Sequence, residues 1–455
     1  MNFLIKKHYY ILYFSIIGIC FLLNSVLPFY LMLCYLIVGN LLIVFFNKVQ
    51  SDEIRIFNFS FSTSILFYFF SLIFLIYFGD EGQLDSDALN FFNLSSKFEE
   101  FNLLALRIIT EGSLAVVIWR KIYDLLNLIG YAKEFYVGIF FNIFLNSISS
   151  VLILKISKMV NDMNVKKVNN LIFFFSFSGL LILFSTLHVR DVFIFFFFNL
   201  MVYLFLYFRI NFKVFFIPLS IILSLIFGII FFYLRTEYLA LPILVFISFL
   251  FEKIILNFKN YQNKIIPLFS FIFFGILSIL LIINTQIFEL LKSGYNSYML
   301  VNENVQSLNN SESLATILIL NQPLIIRYFL GFIYFIFSPV PFWSGLFSGS
   351  FYLFLKSLNV IMMYFLVPAF YLQLSSKSFY IKNRLALLII FFVGYSSIIL
   401  TSLELRHLGT FLGLFFVFVS SYDFKSGIIP YIKTLKFVIL SVMLVHFLWV
   451  ALKLF

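Results

Sequence analysis

Apolar segments of about twenty residues, the length that spans a bilayer, recur along the whole of this 455-residue chain. Hydrophobic residues make up 63% of the sequence and charged residues 11%, and the mean hydropathy is +1.06. Soluble domains carry about 25% charged residues, because a folded chain in water needs a polar coat. The composition therefore excludes a soluble enzyme, a disordered protein and a nucleic-acid-binding domain. It makes the lipid bilayer the natural solvent for this chain.

The apolar segments lack the alternating polar pattern of membrane-barrel strands, so helices are expected. The sequence predicts an all-α integral membrane protein with about 12–14 transmembrane helices in a single polytopic domain covering residues 1–455. Spans are predicted near 9–24, 28–46, 57–78, 135–153, 170–187, 191–208, 214–233, 238–252, 265–284, 351–373, 384–402, 408–421 and 437–454. Lys6 and Lys7 precede the first apolar segment and no small-residue cleavage site follows, which predicts an uncleaved first span.

The basic residues indicate which connections share a side of the membrane. With the N-terminus in the cytoplasm, 19 of the 31 lysines and arginines fall in inside loops, as the positive-inside rule expects. Fifteen of the 20 acidic residues, and six of the nine arginines, fall on the other side. Arginine binds planar anions such as phosphate and carboxylate. We therefore expect an anionic ligand on the outer side. Pairing with acidic side chains or lipid headgroups is the alternative for any single arginine.

Two predicted outer segments, 79–134 and 285–350, are too long to be simple turns. Loops of this length usually carry function or additional structure. The apolar stretches 114–130 and 324–337 within them predict in-plane or re-entrant helices. Backbone of that kind survives at membrane depth only where it packs against protein or lines a cavity.

Ionisable residues concentrate at four outer connections and at the start of the second re-entrant stretch. They are Asp85-Ser-Asp87, His188-Val-Arg190-Asp191, Arg235-Thr-Glu237, Glu404-Leu-Arg406-His407 and Arg327. Such groups are costly at a membrane edge unless they are paired or wetted, so they mark a cavity. Arginine, histidine and carboxylate together fit a lipid pyrophosphate held by arginines, with a carboxylate or imidazole activating a hydroxyl. Local Arg–Asp and Arg–Glu pairs that stabilise tight turns are the structural alternative.

Metal and cofactor sites have no signature in this sequence. Cys20 and Cys34 both fall inside apolar segments, and the four histidines are dispersed without a zinc-binding spacing. The centres of the spans are almost uniformly apolar, which counts against a transporter that moves a charged group through the membrane. We expect neither a metal nor a cofactor.

The chain resembles the repeat-unit polymerases of bacterial O-antigen and capsule synthesis (Wzy type), as an architecture that covers most of its length. The residues that carry the resemblance are Asp85-Ser-Asp87 with Phe91-Phe92, His188-Val-Arg190-Asp191, Pro339-Val-Pro341-Phe342-Trp343 and Glu404-Leu-Arg406-His407. One pattern described for the family, an arginine followed by ten residues and a glycine in two outer loops, follows no outer arginine here.

The resemblance implies a GT-C-like, metal-independent membrane glycosyltransferase of the bacterial inner membrane. It would transfer a growing glycan from undecaprenyl pyrophosphate to a hydroxyl of the next lipid-linked repeat unit. Substrate would be bound by Asp85, His188, Arg190, Arg235, Arg327 and Arg406, and the base would be Asp87, Glu404 or His407. The implied partners are the undecaprenyl pyrophosphate-linked oligosaccharide, the bilayer, a chain-length regulator and a flippase, with no nucleic acid.

Three other classes of function fit parts of the same pattern: a transporter, a different membrane transferase and a scaffold. A flippase for the same lipid-linked oligosaccharide would have a similar length and number of spans, with basic residues along a central cavity. A lipid-to-glycan ligase or a sugar O-acyltransferase would share the outer site. A scaffold protein would use the outer arginines only to pair with acidic residues.

Overall fold

The computed structural model describes residues 7–46, 51–79, 86–97, 103–212, 215–257, 319, 322–337, 342–375, 384–401, 405–424 and 427–454. Within these ranges the chain forms α-helices and one 3-10 turn at Thr236–Tyr238, and no β-strand. The predicted all-α class is therefore confirmed.

The helices follow one another with short connections through the first half of the chain. They are α1 His8–Leu22, α2 Leu27–Phe46, α3 Ser51–Phe78, α4 Ser86–Lys97, α5 Leu103–Ile109, α6 Ser113–Leu128, α7 Phe135–Val160, α8 Val165–Ser176, α9 Gly179–Thr186, α10 Asp191–Asn211, α11 Phe216–Leu234 and α12 Leu241–Asn257. After residues 258–318, which lie outside the described ranges, come α13 Leu324–Phe337, α14 Trp343–Leu346, α15 Phe351–Ser375, α16 Arg384–Thr401, α17 Leu405–Ser420 and α18 Ile428–Leu454.

Seven of the described helices are long and apolar enough to cross a bilayer. These are α2, α3, α7, α10, α11, α15 and α18, and the bent pair α8–α9 adds an eighth if its halves form one span. The helices α1, α16 and α17 are apolar but shorter. The chain is a multi-pass membrane protein, as predicted. The predicted span at 265–284 lies outside the described residues, so the total of 12–14 spans stays a prediction.

The span predicted at 170–187 is divided into two helices whose axes differ by 56°. Gly179 begins the second half at a close approach to α15, where an added Cβ would lie 1.9 Å from the carbonyl oxygen of Leu355. The hydroxyl of Ser178 also donates a hydrogen bond to Oδ1 of Asn359, at 3.3 Å. The break therefore depends on a contact with a helix more than 170 positions away, which hydropathy alone does not indicate.

Helix α7 is the centre of the bundle, with 89% of its apolar stretch buried and with α3, α9 and α10 packed around it. In a membrane, helices associate through close packing rather than through the hydrophobic effect, so small residues are favoured at their contacts. Helix α7 carries several buried serines, and the hydroxyls of Ser147 and Ser149 donate to carbonyl oxygens one turn back, at 2.7 and 2.9 Å. These serines are both small and internally satisfied.

Two ends of the bundle can be defined from the helix directions. The site end is where α7 and α10 begin and α11 ends, and the far end is the opposite one. At the far end, Arg55 Nη1 lies 3.1 Å from Asp52 Oδ1, and Lys158 Nζ lies 3.4 Å from the other oxygen of the same carboxylate. A buried pair between Arg209 and Glu252, 2.7 Å apart, joins α10 to α12 there.

Candidate functional site

Polar side chains from separate connections meet at the site end. Nη2 of Arg406, in the first turn of α17, lies 2.8 Å from Oδ2 of Asp87 in α4. Nε2 of the next residue, His407, lies 2.5 Å from Nη1 of Arg235, which directly follows α11. These two contacts join residues 319 and 172 positions apart in the chain. Three of the four predicted outer clusters therefore supply side chains to one site.

The fourth cluster reaches the same site through Arg190, the residue before α10. Its guanidinium lies over the ring of Phe91, 5.7 Å from the ring centre, and Nη1 donates a hydrogen bond to the carbonyl oxygen of Glu111. Burial lowers the pKa of Arg190, and the charges of Arg235 and Arg406 lower it further, against the opposing effect of the Asp191 and Glu111 carboxylates. We call Arg190, Arg235, Arg406 and His407 the arginine cluster.

His407 lies among the three arginines and is almost completely buried, with 3% of its surface exposed. Burial lowers the pKa of His407 well below its ordinary value, and the positive charges of the three arginines of the cluster act in the same direction. The ring is therefore neutral at pH 7, and an imidazole nitrogen can accept a hydrogen bond from Arg235. A bound anion would offset the arginine charges and raise the proton affinity of this ring.

Arg235 has an extended backbone between α11 and the 3-10 turn, with φ −168°. Its Nε lies 3.0 Å from Oε2 of Glu237, two residues further on. The local pair predicted as a turn-stabilising alternative is thus present, and the same arginine also contacts His407 through Nη1. One guanidinium therefore serves both the turn and the arginine cluster.

Glu111 belongs to this site and was missed by the sequence analysis. Its carboxylate accepts a hydrogen bond from Thr236 Oγ1 at 2.7 Å, and it lies 3.4 Å from Nη2 of Arg107 and 3.6 Å from Nη2 of Arg190. Burial by itself would raise the pKa of Glu111, but the hydrogen bond from Thr236 and the neighbouring arginines lower it overall. The helical spacing of Arg107 and Glu111, four residues apart, was the available sequence signal.

His188, which was predicted to bind substrate, is surrounded by aromatic side chains. Its ring is fully buried, lies 4.0 Å from the ring of Trp119 and 5.4 Å from that of Phe135, and contacts Phe92. Nε2 forms a hydrogen bond with the hydroxyl of Tyr123 at 2.9 Å. Every one of these partners is a protein side chain. In this position His188 supports the connection that carries Arg190.

The enclosure of His188 predicts a pH-dependent stability. Burial lowers the pKa of His188 from 6.5 to about 3. The unfolded chain therefore binds a proton at this residue below pH 6.5 that the folded chain does not. We expect the free energy of unfolding to fall by up to about 1.4 kcal/mol per pH unit from this residue as the pH decreases below 6.5 towards 3. Unfolding measured between pH 5 and 6.5 should show a shallower slope for His188→Asn. Equal slopes would contradict the prediction.

The remaining predicted residues have different placements. The side chain of Asp87 is half exposed beside Arg406. Arg327 lies in the first turn of α13, which packs against α16 and α15. Asp85 and Glu404 lie outside the described residues. In the part of the chain that the structure describes, no group of three or more histidine, cysteine or acidic side chains could hold a metal ion.

Comparison of the chain with protein-family models, with curated proteins and with solved structures finds no match.

Proposed function

We propose that this chain is a membrane glycosyltransferase. It polymerises oligosaccharide repeat units, carried on undecaprenyl pyrophosphate, into O-antigen or capsular polysaccharide at the periplasmic face of a bacterial inner membrane. The observation that carries the proposal is the arginine cluster: three guanidinium groups from three separate connections lie around one buried imidazole at one end of a membrane bundle. Preorganised cations of this kind bind pyrophosphate and stabilise it as a leaving group.

The exposure of the ion-pair partners supports a site that exchanges carboxylate for phosphate. The side chains of Arg235 and Arg406 are 10% and 19% exposed, whereas those of Glu237 and Asp87 are 50% and 51% exposed. Ion pairs with such exposed carboxylates contribute about 0–1 kcal/mol. The carboxylates can therefore swing into water when a pyrophosphate arrives, while the less exposed arginines stay in place.

The proposed reaction uses these groups in two roles. Arg190, Arg235 and Arg406 hold the pyrophosphate, which leaves with the electron pair of the bond between the sugar carbon and the phosphate oxygen. A hydroxyl of the incoming repeat unit attacks that carbon and loses its proton to a base. Asp87 is the predicted base whose carboxylate lies beside Arg406, and His407 is a second candidate base because a bound anion raises its proton affinity.

The first experiment measures the length distribution of the surface glycan on a gel. It compares a strain in which the gene is deleted with the same strain after the gene is restored. A polymerase predicts collapse to a single capped repeat unit and restoration of the ladder by complementation. Accumulation of lipid-linked units facing the cytoplasm would show a flippase, and accumulation of long lipid-linked polymer would show a ligase. Either of those results, or an unchanged ladder, would overturn the proposal.

A glycine pair in the first outer segment tests the position of Arg190. Gly112 has φ +102°, and an added Cβ would lie 2.8 Å from Cδ of Arg190; Gly130 has φ +89° and nothing within 4 Å. Both alanine variants incur the cost of a left-handed backbone, about 1–2 kcal/mol. We expect only Gly112→Ala to displace Arg190 and to lower glycan polymerisation, by about 10²-fold for a displacement near 1 Å. Similar ladders from Gly112→Ala and Gly130→Ala would contradict this placement.

A further inference from the structure

A cavity of about 480 Å³ lies at the site end, away from the arginine cluster. It is bounded by the turn between α1 and α2, the last third of α3 and the start of α7. Its walls include Asn24, Ser25, Tyr68, Glu134, Phe135 and Tyr136, together with three leucines. A volume between about 300 and 1,000 Å³ is typical of sites for small ligands.

Polar and aromatic groups have distinct positions in this cavity. Tyr68 is 1% exposed and forms part of its floor, whereas Asn24 and Glu134 are exposed and lie at its mouth. Asn24 has a left-handed backbone, φ +48°, which turns the chain towards α7. The hydroxyls of Ser25 and Tyr136 lie 3.3 Å apart on adjacent walls. The cavity thus combines flat aromatic surfaces with hydroxyl groups and one carboxylate.

A group of aromatic rings lies between the cavity and the arginine cluster. The ring of Phe135, which lines the cavity, lies 5.4 Å from the ring of His188 and 5.3 Å from that of Phe92. Phe91, the residue before Phe92, lies under the guanidinium of Arg190. The cavity and the arginine cluster therefore lie at the same end of the bundle, separated by this group of rings.

We propose that the cavity binds one or two sugar residues of the lipid-linked glycan, and that it prefers neutral or amino sugars to acidic ones. This inference rests on the proposed function, because it names the part of the substrate that extends beyond the pyrophosphate. Sugar rings present apolar faces and polar edges, which match aromatic walls with a few placed hydroxyl groups. The carboxylate of Glu134 at the mouth repels an acidic sugar and attracts an ammonium group.

Lys133, the basic residue next to Glu134, does not reverse this charge preference. Its ammonium group lies 3.0 Å from Oδ1 of Asp124 and donates to the carbonyl oxygen of Ser96 at 3.3 Å. The side chain is therefore directed towards α4 and α6. The carboxylate remains the charged group that lines the cavity.

The test is saturation-transfer NMR on the purified full-length protein in detergent micelles. The probes are three soluble disaccharides without lipid: chitobiose, its de-N-acetylated diamino form, and a glucuronate-containing disaccharide of equal size. We expect the first two to bind and the third to bind about 2–5-fold more weakly, because the carboxylate of Glu134 is exposed and solvent screens its charge. Glu134→Gln should abolish this discrimination, and because its side chain is exposed the variant should fold normally.

Two tyrosine variants test whether the cavity wall contributes to sugar binding. Tyr136→Phe removes one hydroxyl from the cavity and should weaken chitobiose binding by about 2–10-fold, the effect of one hydrogen bond. Tyr131→Phe, at a tyrosine in the connection before α7 that does not line the cavity, should leave binding unchanged. A wild-type protein that binds none of the disaccharides, or a charge preference that persists in Glu134→Gln, would overturn the inference.

The experiments distinguish failure of the proposed polymerase function from failure of the proposed sugar site. Loss of the glycan ladder on gene deletion without disaccharide binding would retain the polymerase and reject the cavity as a sugar site. Disaccharide binding that depends on Tyr136, with an unchanged ladder on deletion, would reject the polymerase and retain the cavity as a saccharide site. Displacement of bound chitobiose by phospholipid, with no effect of Glu134→Gln, would identify the cavity as a lipid site instead and reject the inference.

Discussion

Replacing Arg235 by alanine is expected to reduce glycan polymerisation by about 10²–10³-fold, the usual cost of removing one preorganised donor from a site of developing negative charge. Arg235 is the arginine that contacts His407 directly, and its side chain is 10% exposed. Its loss removes a desolvated charge that water cannot replace with equal effect. Arg190→Ala and Arg406→Ala should have effects in the same range. The measurement is the rate of ladder formation by purified protein in liposomes supplied with lipid-linked repeat units.

A matched arginine at the far end provides the control. Arg55 also pairs with an acidic residue, Asp52, at 3.1 Å. It lies in the first turns of α3, at the far end of the bundle. We expect Arg55→Ala to retain the ladder. Arg235→Lys should restore only part of the rate, because an ammonium group keeps the charge but cannot form the bidentate contacts of a guanidinium. Full activity in all three alanine variants of the arginine cluster would exclude a role for the cluster in catalysis.

Replacing Glu252 by alanine is expected to destabilise the fold by about 3–5 kcal/mol, since it leaves the Arg209 guanidinium buried without its carboxylate. Oε2 of Glu252 lies 2.7 Å from Nη1 of Arg209, and the Glu252 side chain is fully buried. The same Nη1 also donates to the carbonyl oxygen of Phe249 at 3.0 Å, so the arginine holds α10 against α12. The free energy of unfolding in mixed micelles, measured against increasing denaturing detergent, gives this quantity directly.

A double variant separates the charge effect from packing. Arg209→Met with Glu252→Leu replaces both charged groups by apolar ones of similar size, and such replacements are close to neutral or stabilising. We expect it to recover most of the stability lost in Glu252→Ala. Glu237→Ala is the control for losing a carboxylate, because its side chain is half exposed and its pair with Arg235 contributes little stability. A Glu252→Ala variant as stable as Glu237→Ala would show that the buried pair does not hold the two helices together.

The arginine cluster could be anticipated from the sequence only in part. Hydropathy places Arg190, Arg235 and Arg406 at the ends of apolar segments, and charge counting assigns them to one side. Neither pattern shows that Arg406 reaches Asp87, or that His407 reaches Arg235, because these contacts depend on which helices are neighbours. Glu111 went unnoticed because it lies within an outer segment rather than at the end of a span.

The sequence by itself determined the solvent and the class of this protein: its apolar segments require a bilayer, and a bilayer requires helices that satisfy their own backbone groups. It also indicated the helix at 324–337, because a continuous apolar stretch is a local property of the sequence. Only the tertiary structure decided that His188 is enclosed by aromatic rings while His407 stands among arginines. Both histidines lie in similar polar clusters between apolar segments. Their chemical environment is set by side chains distant in sequence, and packing brings those side chains together.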